Sequence, residues 1–177
     1  LDLSKRAGDL HMQTEALECL AAVYSDIDDT KSLNYNLEAY KVALQSKDDD
    51  LIITMLSILA EAYLNTGDHK NSIRYYRLCL DRLNKPEMNK MVSYAKHNLG
   101  NVYADLGTYD TAMILYKSAL QFAKNQKQDE IIGLCYSSIA NTYMNLKDHP
   151  NSLLAIDSAI SVEIPRGSSY RLMYLYL

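Results

Sequence analysis

Several residue types that mark common protein classes are scarce or absent in this sequence. The 177 residues include no tryptophan, one phenylalanine, three prolines, six glycines and three cysteines. Cys19, Cys79 and Cys135 are odd in number and far apart, which excludes a disulfide framework and a cysteine metal site. We expect them to be small apolar residues of the interior. No apolar run reaches the roughly 18 residues that a membrane-spanning helix needs, so we predict no membrane contact by this region.

An excess of positive charge is also missing. Lysine and arginine number 18 against 22 aspartates and glutamates, which gives a formal net charge of −4. Nucleic-acid surfaces need clustered lysine and arginine side chains. We therefore predict that this region contacts no nucleic acid.

The short motifs that carry catalysis or cofactor binding are absent too. The sequence has no His-Glu-x-x-His, no Cys-x-x-Cys, no phosphate-binding loop and no Gly-x-Ser-x-Gly. His69 and His149 occupy equivalent positions of a repeat and are not expected to be ligands. We predict no enzyme, no catalytic residue, no metal site and no cofactor.

What the chain does have is a repeat of about 40 residues. Residues 99–120, LGNVYADLGTYDTAMILYKSAL, predict two amphipathic helices, with Gly107 ending the first and Thr108 capping the second. Tyrosines recur in the first helices at nearly equal intervals, the first of which is one residue shorter than the others, and matching residues recur in the second helices. The two series are Tyr24, Tyr63, Tyr103 and Tyr143, and Tyr76, Tyr116 and Ile156.

These positions carry a resemblance to a known family. The pattern of small, aromatic and turn residues resembles the tetratricopeptide repeat, in a variety whose repeats are longer than is usual for the family. The matching positions are Leu99, Gly100, Tyr103, Gly107, Tyr109, Ala112, Tyr116 and Ala119. The resemblance implies an all-α fold, a right-handed α-solenoid of antiparallel helix pairs, and it implies no particular activity.

The register predicts one array over residues 1–177. We expect repeats at 10–46, 50–83, 88–125 and 129–162, with partial helices at 1–6 and 168–177, as in a fragment of a larger array. In the first repeat, Tyr40 and Ala43 are assigned to the slots of Tyr76 and Cys79. That assignment requires three extra residues around 26–30.

Function is expected in the groove formed by the first helices. The residues next to the core positions, at i, i+4 and i+8, should face this channel. In the second repeat they are Ser57, Glu61 and Asn65, and in the third His97, Asn101 and Asp105. In the fourth repeat they are Ser137, Asn141 and Asn145, and in the first Glu18, Ala22 and Asp26. An asparagine amide can donate to and accept from a peptide backbone. The family resemblance implies this role for Asn101 and Asn141.

The predicted partner is a protein or a peptide held in this groove. The slots in which one chaperone-binding subtype carries a basic clamp hold Ser57, His97 and Ser137, so neutral or basic ligand side chains fit better than acidic ones. The resemblance extends to sensory regions of bacterial regulators, to peptide-pheromone receptors and to polarity scaffolds, and a bacterial regulator is the preferred setting. An extracytoplasmic and a cytoplasmic location both stay open. The alternative is a structural spacer, or a module that self-associates through its ends and holds no groove ligand.

Overall fold

The structure is a computed structural model that describes residues 9–83 and 89–164. These residues form eight helices and no strand. The helices are α1 (Leu10–Tyr24), α2 (Asp29–Ser46), α3 (Asp49–Asn65), α4 (His69–Arg82), α5 (Asn89–Asp105), α6 (Tyr109–Asn125), α7 (Asp129–Asn145) and α8 (His149–Glu163). The predicted partial helices at 1–6 and 168–177 lie outside the described residues.

The turns repeat as regularly as the helices. From α2 to α8 the helix starts are evenly spaced along the chain, at Asp29, Asp49, His69, Asn89, Tyr109, Asp129 and His149. Five of the turns contain a residue with positive φ two positions before the next helix, namely Lys47, Gly67, Gly107, Lys127 and Lys147. Gly107 thus ends α5 in the left-handed conformation, as predicted, and Lys147 adopts the same conformation without the help of glycine.

Aspartates cap several helices. The side chain of Asp48, for example, accepts hydrogen bonds from the N–H groups of Asp50 and Leu51 at 2.9 and 3.3 Å. Such bonds satisfy backbone donors that have no partner inside the helix. The predicted cap at Thr108 is wrong, because its hydroxyl donates backwards to the carbonyl of Tyr103 at 2.7 Å.

The chain divides into two compact units, Leu1–Arg82 and Leu83–Leu177. In the first unit, α1 packs on α2, α2 on α3, and α3 on α4. The interior of this unit is formed by apolar side chains of α3 and by small and aromatic side chains of the second helices. Fully buried members include Ile53, Met55, Leu56, Leu59, Tyr76 and Cys79.

The first helix pair has a different register from the predicted one. Because α2 begins at Asp29 and α4 at His69, the slots of Tyr76 and Cys79 are occupied in α2 by Asn36 and Ala39. Tyr40 and Ala43, the predicted occupants, lie one helical turn further along. Asn36 is 6% exposed and Ala39 is fully buried. No extra residues are present around 26–30.

The shortened interval between Tyr24 and Tyr63 has a simple origin in the turn. The N–H of Asp28 donates to the carbonyl of Tyr24, four residues back, whereas the N–H of Asp68 donates to Tyr63, five residues back. The first turn is therefore one residue shorter, and none of its residues has positive φ. The missing residue is the left-handed one.

In the second unit, α5 packs on α6, α6 on α7, and α7 on α8, and α5 also contacts α7. One apolar cluster surrounds Tyr116 and a second surrounds Cys135. The tyrosines of the repeat pack partly into these clusters, as the sequence suggested. Because α5 and α7 meet over α6, polar residues of all three helices come together.

The cysteines are only partly as expected. Cys79 and Cys135 are buried, whereas Cys19 is exposed. The prediction for Cys19 is wrong, because Cys19 lies on a face of α1 that the described residues leave exposed.

Candidate functional site

Each unit contains one cleft lined by predicted groove residues. The second-unit cleft lies between α5, α6 and α7 and has a volume of about 260 Å³. It is lined by Asn101, Ala104, Asp105, Tyr116, Ser138, Asn141, Thr142 and Asn145. Four of the nine predicted residues therefore meet at one place, and three of these four are asparagines.

Tyr116 fixes the orientation of one of these asparagines. Its hydroxyl donates a hydrogen bond of 2.8 Å to Oδ1 of Asn101. The carbonyl half of the amide is thus directed at Tyr116, and its NH₂ group makes no hydrogen bond within the described residues. Asn141, which is exposed, makes no side-chain hydrogen bond there either. Both amides therefore have donors available to a ligand.

A glycine gives the tyrosine ring its position. A Cβ atom at Gly100 would lie 2.6 Å from Cε1 of Tyr116, closer than van der Waals contact allows. The ring can therefore lie flush against α5 only because residue 100 has no side chain. This contact explains the small residue that precedes Asn101 in the sequence pattern.

A buried histidine, His97, lies below the second-unit cleft and contacts Ser138 and Tyr116. Nε2 of His97 lies 2.9 Å from Oγ of Ser138, and the His97 ring lies 5.6 Å from the Tyr116 ring. Burial lowers the pKa of His97, although hydrogen bonds to Asn98 and Leu134 oppose this. Burial also raises the pKa of Tyr116 to about 12, against the effect of a hydrogen bond with Ser138. Tyr116 consequently stays a neutral donor to Asn101 at physiological pH.

His97 itself does not face an open channel. Its side chain is 5% exposed, and both ring nitrogens have partners, Asn98 and Ser138. The prediction that it looks into the groove is wrong in this respect, because the contact between α5 and α7 covers that turn of α5. Its place is beneath the cleft.

Ser57 and Ser137 also lie outside both clefts. Oγ of Ser57 lies 3.2 Å from Sγ of Cys79, and Oγ of Ser137 donates to the carbonyl of Gly133 at 3.0 Å. Both hydroxyls are thus used inside the fold. On α3, α5 and α7 the first of the three predicted groove positions does not line a cleft, whereas the second and third do.

The first-unit cleft lies between α1, α2 and α3 and has a volume of about 350 Å³. It is lined by Glu18, Ala21, Ala22, Ser25, Asp29, Ser32, Asn36, Ile58, Glu61, Ala62 and Asn65. The predicted residues Glu61 and Asn65 lie here, together with Glu18 and Ala22 of the first repeat. Its charged side chains are all carboxylates.

Sequence reasoning missed the contributions of the second helices. Asn36, Ser32 and Tyr116 line the clefts from α2 and α6, whereas the predicted stripe considered only first helices. The signal was present in the recurrence of Tyr116 at a buried slot. A tyrosine hydroxyl at a buried slot normally reaches a partner, and the partner here is on the groove stripe.

The two buried cysteines are not activated for nucleophilic chemistry. Burial raises the pKa of the Cys79 thiol and raises that of Cys135 to about 12, so neither is a ready nucleophile. No group of three histidine, cysteine or acidic side chains in this part of the chain could hold a metal ion. No described helix has the length and apolar character that crossing a bilayer requires.

Comparisons with known proteins agree with the fold. Models of the tetratricopeptide repeat match residues 53–82 and 92–125. Aspartyl phosphate phosphatase F from Bacillus subtilis has a similar structure, with a TM-score of 0.86 over 95% of this chain and 44% of that one, at 13% identity. A search of curated proteins found no significant sequence match.

Two further similar structures were solved with a bound factor or peptide. A Rap protein complexed with competence and sporulation factor has a TM-score of 0.83 at 19% identity, over 93% of this chain and 46% of that one. NprR in complex with its cognate peptide NprX has a TM-score of 0.76 at 19% identity, over 98% and 51%. The chain thus spans about half the length of these proteins.

The helices, turns and clefts define an all-α repeat protein built of antiparallel helix pairs, as the sequence predicted. The two matched stretches support the tetratricopeptide repeat that the sequence pattern resembles, and the similar structures support the fold. Residues 53–82 and 92–125 match the tetratricopeptide repeat, and the α-solenoid fold class of the chain is confirmed.

Proposed function

We propose that this chain binds an extended segment of a protein or peptide without making or breaking a covalent bond. Asn101 and Asn141 hold the ligand backbone in the second-unit cleft. Asp105 and Asn145 line the same cleft, and Glu61 and Asn65 line the first-unit cleft. Ser57, His97 and Ser137, which were predicted as groove residues, act from beneath by packing.

The hydrogen bond from Tyr116 to Asn101 is the observation that carries this proposal. An asparagine on a solvated helix face needs no partner and adopts several rotamers. Here the buried Tyr116 hydroxyl orients the Asn101 amide. The conformational entropy of this side chain is therefore already lost before a ligand binds. A preoriented amide beside a second, unpaired amide matches the alternating C=O and N–H groups of an extended backbone.

A regulatory setting is the finer part of the proposal. NprR was solved with its cognate peptide and a Rap protein with competence and sporulation factor, both on a fold like this one. That likeness supports the use of this region as the sensory or interaction part of a bacterial regulator. It also favours a ligand-holding role over that of a structural spacer.

The proposal is tested with peptides selected against the wild-type chain from a random heptapeptide library. Their affinities are then measured by fluorescence anisotropy for Asn101→Ala and Asn141→Ala. Each lost hydrogen bond should cost about 1 kcal/mol, which is a rise of about fivefold in Kd. Asn125→Ala, which changes an exposed asparagine of α6 outside the clefts, is the matched control.

Unchanged peptide affinity in both variants, with folding intact, would refute the proposal that Asn101 and Asn141 hold the ligand backbone, which we call the asparagine grip. Failure to select any peptide that binds in a cleft would favour the spacer or self-association alternative. In that case, substitutions on the terminal helices rather than in the clefts should alter the oligomeric state.

A further inference from the structure

The first-unit cleft lies at a repeat slot whose residue differs from that of the neighbouring helix pairs. The slot that holds Tyr76 in α4 and Tyr116 in α6 holds Asn36 in α2. Asparagine is much shorter than tyrosine, so the space of the phenol ring is left open between the helices. The cleft above Asn36 has a volume of about 350 Å³, against about 260 Å³ above Tyr116. The larger value lies within the range of small-ligand sites, which is roughly 300–1,000 Å³.

The floor of this cleft has hydrogen-bonding groups that are not used. Asn36 is 6% exposed and Ser32 is 8% exposed, and both line the cleft. Neither side chain makes a hydrogen bond to any residue that the structure describes. Their polar atoms are not among the fully enclosed ones, so they reach the cleft surface. Because these atoms open onto the cleft and have no protein partner there, they are available to hydrogen-bond a ligand.

The walls of the cleft carry uncompensated negative charge. The carboxylates of Glu18, Asp29 and Glu61 line it, and no lysine or arginine does. Within residues 9–83 and 89–164, none of the three forms an ion pair. Burial, together with the nearby Glu15, raises the pKa of Glu18, as expected for a carboxylate that lacks a cation.

We propose that the first-unit cleft is a pocket for an arginine side chain of the bound protein or peptide. A guanidinium presents five N–H donors in a fixed plane and has no acceptor. The cleft offers the complementary set, with the Asn36 and Ser32 oxygens at the floor and three carboxylates around them. The absent phenol ring leaves the space that the long side chain needs.

This inference adds a ligand class to the proposed function. It rests on that function in one respect, which is that Glu61 and Asn65 belong to the predicted groove. The two clefts share no residue, so they are tested separately. Loss of peptide binding in Asn101→Ala leaves the arginine pocket unaffected, and an empty pocket leaves the asparagine grip unaffected.

The probe is N-acetyl-L-arginine methylamide, titrated into the ¹⁵N-labelled chain and followed by backbone amide shifts. The matched probe is the citrulline analogue, which has nearly the same shape but no charge. The arginine probe should shift amides of the residues that line the first-unit cleft, and the citrulline probe should bind much more weakly. Glu18→Gln and Glu61→Gln should each weaken binding by about threefold, whereas Glu38→Gln, an exposed site elsewhere on α2, should not.

Asn36→Tyr gives the sharpest variant because it introduces the side chain that the second and third helix pairs have at this slot. Ala21 lies at the repeat position of Ala60, which accompanies Tyr76 in the second helix pair, so the tyrosine should be accepted. This variant should keep its helical circular dichroism and lose the arginine-dependent shifts. If it fails to fold, the Glu18→Gln, Glu61→Gln double variant decides the question, because these residues lie at the rim.

Three results would overturn the proposal. One is equal affinity for the arginine and citrulline probes, and a second is unchanged binding in folded Asn36→Tyr. The third is equal affinity for N-acetyl-L-lysine methylamide, which would show attraction of any cation without guanidinium recognition.

Discussion

The residue at one slot of the second helix differs between the two clefts. In the second unit Tyr116 fills the slot, donates to Asn101 and leaves a small cleft with oriented amides. In the first unit Asn36 fills it and leaves a larger, acidic cleft. The two clefts therefore share one backbone plan and differ in the slot residue and in the polar side chains that surround it.

The hydroxyl of Tyr116 can be tested apart from its ring. Tyr116→Phe keeps the buried ring but removes the donor to Asn101, so the amide is no longer held in one orientation. We expect peptide Kd to rise by about threefold to fivefold, with a loss of roughly 1 kcal/mol in the free energy of unfolding. Anisotropy and urea unfolding measure the two quantities.

Tyr143→Phe serves as the control for this change, because the Tyr143 hydroxyl makes no hydrogen bond among the described residues. Unaltered peptide affinity in Tyr116→Phe would show that Asn101 needs no positioning. Equal losses in the two variants would show that the effect is only one of stability.

At the scale of helices and turns, the left-handed residue in the turn keeps the helix starts evenly spaced. Glycine adopts this conformation without strain, whereas an L side chain pays about 1–2 kcal/mol. Lys147, with φ 59°, takes the place that Gly107 and Gly67 fill in the equivalent turns. The packing of the flanking helices thus holds Lys147 in a conformation that lysine does not favour by itself.

Lys147→Gly should therefore stabilise the chain. We expect the free energy of unfolding to rise by about 0.5–1 kcal/mol, because relief of strain exceeds the added entropy of the unfolded chain. Urea unfolding followed by circular dichroism gives the value. The converse change, Gly107→Ala, should destabilise by about 1 kcal/mol through the backbone alone, since nothing lies within 4 Å of the added Cβ. A decrease in stability for Lys147→Gly would contradict this account of the turns.

The same scale shows why helix pairs were predictable and one register was not. The regular recurrence of tyrosines marked antiparallel pairs because the buried slots recur with the helices. In α2, however, Tyr40 resembled the slot residue Tyr76, and the real occupant, Asn36, is polar. The prediction followed the aromatic residue Tyr40 rather than the regular spacing, which leads to Asn36. The turn after Tyr24 is one residue shorter than the others, so the spacing alone did not reveal the true register.

For the whole molecule, the sequence predicted the fold class and the asparagines that line the second-unit cleft. It could not show that His97 is buried or that Ser57 contacts Cys79, because a helix-face argument ignores how neighbouring helices cover that face. Nor could it show the hydrogen bond from Tyr116, which joins two helices. That the four helix pairs form one continuous array stays a prediction.

The central claim is that Asn101 and Asn141 contact the backbone of a bound peptide. The most direct measurement is the NMR shift of their side-chain NH₂ groups in the ¹⁵N-labelled chain, with and without a library-selected peptide at saturation. The account predicts that both NH₂ signals move, while those of Asn125 and of Asn34, an exposed residue of α2, stay in place. Unmoved signals from Asn101 and Asn141 in a chain saturated with peptide would contradict it.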